Sequence, residues 1–131
     1  MMRSQSRKAK ARAAETRDFR RDLIQSVGRC ELCGHDPARF GPGTISWRLA
    51  CHEIARGNSR QDALDKPYAI LVVCYVCHHE RIHGVEDWPQ ARQLAALKRS
   101  RPRDYDLAAF NELVGRGPNR ITEKDVEQWD D

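Results

Sequence analysis

Apolar residues first fall into register at Phe19, Leu23 and Val27, four apart, and Gly28 follows as a helix stop. The spacing predicts a short helix from about Thr16 whose stripe packs inward while its arginines face outward. Residues 1 to about 14 lack any apolar face and are expected to form a basic flexible arm. Pro37, Gly41, Pro42 and Gly43 mark a loop. Alternation then sets in, with Ile45, Trp47, Leu49 and Cys51 on one face and Ser46, Arg48, Ala50 and His52 on the other. This predicts a strand ending near His52, with the imidazole on its polar side.

The polar stretch from Ala55 to Lys66 reads as a loop or short helix, and Pro67 breaks any helix there. An apolar run from Ala69 leads into Cys74, and a helix beginning at or just after Cys74 and ending near Gly84 is expected to carry His78 and His83. Farther on, Asp87 can cap a helix in which Trp88, Ala91, Leu94 and Leu97 share a face. Leu107, Phe110, Leu113 and Val114 mark another helix after Pro102. A last short helix has Thr122 as cap, Asp125 three residues on, and Ile121 and Val126 placed as a hydrophobic staple.

Cysteine spacing changes this picture most. Cys30-Glu31-Leu32-Cys33 and Cys74-Tyr75-Val76-Cys77 each allow two thiolates to reach one ion from a single tight turn, so together they supply the four ligands of a tetrahedral zinc. A redox dithiol or a disulfide framework is the alternative. The absence of a secretory signal and the odd fifth cysteine, Cys51, weigh against the latter.

At 131 residues with 32% charged residues, the chain reads as one domain with a modest core, so folding is expected to depend on bound metal. The run from Ala69 to Cys77 is too short to span a bilayer, which implies a soluble, cytoplasmic protein with no membrane partner. Net charge is +4, and residues 1 to 21 hold eight Arg or Lys against Glu15 and Asp18. Clustered cations attract a polyanion by releasing its counterions. DNA is therefore the expected partner, contacted by Arg7, Lys8, Lys10, Arg12, Arg17, Arg20 and Arg21, by Arg56 and Arg60, and by the stretch from Arg92 to Arg103.

Residues 30 to 83 resemble the HNH endonucleases, compact phage or bacterial nucleases built on a treble-clef zinc scaffold. The resemblance rests on both cysteine pairs, the segment from Leu49 to Ile54 with its central His52, and the Cys77-His78 junction. It implies an α+β fold: a small zinc-stabilised ββα-metal core over residues 15–84, preceded by the arm at 1–14 and followed by a helical extension at 85–131 packing on the same domain. It also implies a metal-dependent DNA endonuclease. His52 is then the general base, His78 and His83 hold a catalytic divalent cation, and Cys30, Cys33, Cys74 and Cys77 hold structural Zn²⁺. An imidazole suits the base role because it accepts a proton near neutral pH. The cation, Mg²⁺ or Mn²⁺ with Ni²⁺ or Zn²⁺ as substitutes, would act as a Lewis acid.

Two positions depart from the family pattern. Cys51 stands where many members carry a metal-binding aspartate, making it the candidate cofactor-binding residue, although alternation favours a buried apolar cysteine. Ala69 stands where many carry an asparagine, and Asn58, Asp65 or Glu53 are its candidate replacements. These departures keep open a non-catalytic zinc module that binds nucleic acid or protein. A docking role for the C-terminal helices in a larger protein assembly is a third reading.

Overall fold

Ile70, Leu71, Val72 and Val73 are fully buried. Each such side chain contributes roughly 1.5–3 kcal/mol of hydrophobic stabilisation. An unbroken apolar run needs cover on both faces of its strand, and the rest of the chain supplies it. The structure, a computed structural model, describes residues 7–34, 36, 48–74, 77–78, 88–115 and 120–129. Its elements are α1 (Arg7–Val27), β1 (Leu49–Glu53), α2 (Ser59–Ala63), a 3-10 turn (Pro67–Ala69), β2 (Ile70–Cys74), α3 (Gln90–Ser100), α4 (Leu107–Val114) and α5 (Glu123–Glu127). The mixture of helices with one small sheet makes the fold α+β. No helix among the described residues is long and apolar enough to cross a membrane.

β1 and β2 pair antiparallel, with Cys51 opposite Val72 and His52 opposite Leu71. Successive side chains point to opposite faces. Cys51, Ile70 and Val72 therefore meet Phe19, Leu23, Ile24 and Val27 of α1. On the other face Leu71 and Val73 join Trp88, Leu94, Leu97, Phe110, Ile121 and Val126 in the main core. The C-terminal helices thus share one core with the sheet and with Cys30, Cys74 and Cys77 of the two cysteine pairs.

The helix stripe is where the spacing placed it, but α1 begins earlier, at Arg7. The segment Arg7 to Ala14 is built of Arg, Lys and Ala, all strong helix formers, and propensity carries the helix outward without an apolar face. Arg12 also clasps Asp65 at 2.5 Å. Residues 7–14 are helical rather than a flexible arm. The C-terminal stop is as expected, since Gly28 has φ 69° and its N–H donates to Ile24 O at 2.8 Å.

α3 starts at Gln90, after Pro89. Pro89 occupies the N-cap position directly before the first helical residue, so Asp87, read from the sequence as the cap and itself outside the described residues, is not the residue that caps this helix. α4 is capped by Asp106, whose carboxylate accepts from the Ala109 N–H at 3.0 Å. In α5 the capping box is complete: Asp125 N–H donates to Thr122 Oγ1 at 3.2 Å and Thr122 N–H donates to Asp125 Oδ2 at 2.9 Å.

Candidate metal centre and adjoining histidines

Gly28 ends α1 and turns the chain directly into the first cysteine pair. Gly34 closes that turn at φ 77°, its N–H donating to Cys30 O at 2.9 Å. Between them, Glu31 N–H donates to Val72 O at 2.8 Å, and Glu31 Oε1 accepts from the Val72 N–H at 2.8 Å. The knuckle is thereby fastened along β2, whose last residue is Cys74. Arg101 holds the other carboxylate oxygen, Nε to Glu31 Oε2 at 2.9 Å, and also donates to Pro67 O, Ile70 O and Asp104.

The result is a cluster of four sulfurs, Cys30, Cys33, Cys74 and Cys77, all within 4.8 Å of one another. Cys33 and Cys74 stand 3.7 Å apart. A tetrahedral site with Zn–S of about 2.3 Å separates its sulfurs by about 3.8 Å, so the donor set fits zinc in number, softness and spacing. Three of the four cysteines are buried and Cys33 is exposed. The Cys30 thiol is driven well below its usual range by a hydrogen bond from Cys77, against the opposing effect of burial, with help from the N–H groups of Cys33, Cys74 and Leu32. Cys77 is driven upward as that proton's holder, and burial adds to it. Backbone dipoles thus favour negative charge where a cation would sit.

His52 comes close to this centre's other flank. Its ring centroid is 5.1 Å from that of His78, at 63° between planes, and His78 directly follows Cys77 of the cluster. The alternation placed His52 on a polar strand face, whereas the imidazole is only 3% exposed. That face is covered because α3 packs over it, and His52 Nε2 meets Gln93 Oε1 at 2.8 Å. Gln93 Nε2 donates to Trp88 O at 2.9 Å. A carbonyl only accepts, so the glutamine must present its oxygen to His52, and His52 must carry its proton on Nε2. The basic lone pair then belongs to Nδ1.

Cys51 lies on the opposite face, against α1, 7% exposed. Burial raises its thiol pKa, and the sulfur points to Arg20 O at 3.8 Å. It is a buried apolar cysteine, turned away from His52 by strand alternation, and not a cofactor-binding neighbour of that histidine. Glu53 shares the Cys51 side of the strand and pairs with Arg20 at 3.5 Å. Asp65 pairs with Arg12 and Lys66, and Asn58 is exposed at the start of α2. Among the described residues the four cysteines are the only cluster of three or more candidate ligands. His83, the second expected ligand of a catalytic cation, lies outside the described residues, as do His35 and His79.

The basic residues divide. Arg7, Lys8, Lys10, Arg17 and Arg60 are exposed. Arg20 does not face outward: it donates to Cys51 O at 3.0 Å and pairs with Glu53, because α1 lies across β1. Arg21 stands between Asp18 and Asp22, 3.4 Å from each, and Arg56 donates to Trp88 O at 3.1 Å. Gln93 and the Glu31–Arg101 pair escaped sequence reasoning. For Gln93 a pattern was present, because Gln90, Gln93, Leu94 and Leu97 share helical spacing and a polar residue on a core stripe marks a buried polar contact.

No family model matches this chain, and no curated protein or solved structure matches it either.

Proposed function

We propose that this protein is a metal-dependent nuclease that hydrolyses phosphodiester bonds of DNA in the manner of the HNH endonucleases. The observation that carries the reading is the closeness of His52 to His78, ring centroids 5.1 Å apart, with His78 directly following a cysteine of the four-sulfur cluster. In this reading zinc is structural, and it holds together the strand that bears His52 and the turn that bears His78. His52, with its tautomer set by Gln93, accepts the proton of the attacking water at Nδ1. His78, with His83, would hold a divalent cation, Mg²⁺ or Mn²⁺, which supplies charge neutralisation at the phosphoryl group. Hydrolysis then leaves a 3′ hydroxyl and a 5′ phosphate. Exposed cations of α1 and α2 hold phosphates and fix position more than sequence.

One observation favours a second reading, a zinc module without catalysis: His52 is 3% exposed and already hydrogen-bonded. The test is plasmid cleavage by zinc-loaded protein with Mg²⁺, Mn²⁺ or Ni²⁺, compared with His52→Ala. Cleavage lost in the variant, with zinc content retained, supports the nuclease. Equal cleavage by both rejects His52 as the base, and absence of cleavage with every metal and nucleic acid leaves the zinc module.

A further inference from the structure

Away from the histidines, the outer side of the first cysteine knuckle carries three adjoining hollows of about 420, 260 and 370 Å³. Arg29 and Ser100 line both the first and the second, and Ala96 and Arg99 line both the second and the third. They form one groove between the end of α1 and the outer face of α3. Arg103 stands at one end of it. At the other end Arg92 lies 3.7 Å over the Trp88 ring and 5.3 Å from the Trp129 ring.

The charge in this groove is one-sided. Glu31 and Asp104 also line it, but both carboxylates are paired with Arg101, at 2.9 and 2.8 Å. Arg29, Arg99 and Arg103 are exposed and have no carboxylate partner among the described residues. Trp129 is the exposed large hydrophobic residue of the described chain, at 38%. An anionic backbone answers three open guanidinium groups, and a flat π-face answers an open indole backed by a guanidinium.

From this we infer that the groove binds a single-stranded nucleic-acid segment, with phosphates along Arg103, Arg29 and Arg99 and an unpaired base stacked on Trp129. A base paired within a duplex offers no open face to such a platform, whereas an unpaired base of any identity does. The inference rests on the nucleic-acid part of the proposed function and not on His52 chemistry. If the protein is a nuclease, the substrate region next to the cut is unpaired.

The experiment is fluorescence anisotropy of a labelled thymidine oligonucleotide titrated with zinc-loaded full-length protein, without added divalent cation so that cleavage does not enter. Unlabelled competitors are the same oligonucleotide, an abasic strand of equal length, duplex DNA and polyglutamate. The single strand should compete best. Trp129→Ala should weaken binding roughly 5- to 150-fold, the range for losing one stacked base, and Trp129→Phe should restore most of it. Arg99→Gln should flatten the salt dependence by about 0.7 in log–log slope, one phosphate contact on a single strand. Abasic or duplex DNA competing equally with the single strand, polyglutamate competing as well, or Trp129→Ala binding unchanged would each overturn the inference. Binding that persists in a protein that cuts nothing upholds the groove while removing the nuclease.

Discussion

Replacing Arg101 by leucine tests whether the first cysteine knuckle is held by a buried ion pair. The Glu31 side chain is 0% exposed and that of Arg101 11% exposed, so neither charge is relieved by water when the other is removed. Leucine keeps much of the apolar stem, so the loss is chiefly that of the guanidinium. Glu31 would keep the Val72 N–H but lose its cation, and the carbonyls of Pro67 and Ile70 would each lose a donor. Removing one partner of a buried pair costs about 3–5 kcal/mol. Against a total stability of about 5–15 kcal/mol for a domain, that is a large fraction. Denaturant unfolding in excess zinc should show the midpoint falling at unchanged slope. Arg103→Leu, two residues away and exposed, should change stability by no more than about 0.5 kcal/mol. Combining Arg101→Leu with Glu31→Gln should recover part of the loss, because no orphaned charge remains. An Arg101→Leu protein as stable as Arg103→Leu would refute the buried-pair account.

Removing zinc with a strong chelator should collapse tertiary structure, since structural zinc contributes about 10–16 kcal/mol in small zinc modules; near-ultraviolet circular dichroism unchanged on stripping would contradict this. Cys51→Ala should leave zinc content as in the parent and cost about 1 kcal/mol for a small cavity, measured by metal analysis and denaturation; loss of zinc would make Cys51 a ligand after all. Gln93→Glu puts a carboxylate against His52 Nε2, which favours the imidazolium. If His52 is the base, the acid limb of the pH–rate profile should move upward by about one unit or more. A profile that does not move would separate His52 from the base role.

Legibility in the sequence followed the reach of each interaction. The α4 stripe, the Thr122 capping box and the cysteine pairs are local patterns, and each one appears where its spacing put it. The Phe19, Leu23 and Val27 stripe was legible too, but the extension of α1 to Arg7 was not, because propensity leaves no periodic mark. Charged residues were the least legible. Arg20 and Arg101 belong to a basic chain and look like solvent-facing cations, yet each is fixed by partners many residues away, Glu53 and Glu31. His52 was misplaced for a related reason: alternation separates two faces of a strand but does not say that α3 covers the polar one.

The way Glu31 and Arg101 meet β2 has a consequence for the metal-free chain. Three peptide groups on the outer margin of β2, Val72 N–H and C=O and Ile70 C=O, are engaged by these two residues. Together they stand in for a third strand on an apolar ribbon that would otherwise recruit one from another molecule. Zinc held by Cys30 and Cys33 on either side of Glu31 would keep that margin closed. Metal starvation should therefore show itself as self-association through β2, and zinc supply would govern how much of this protein stays dispersed.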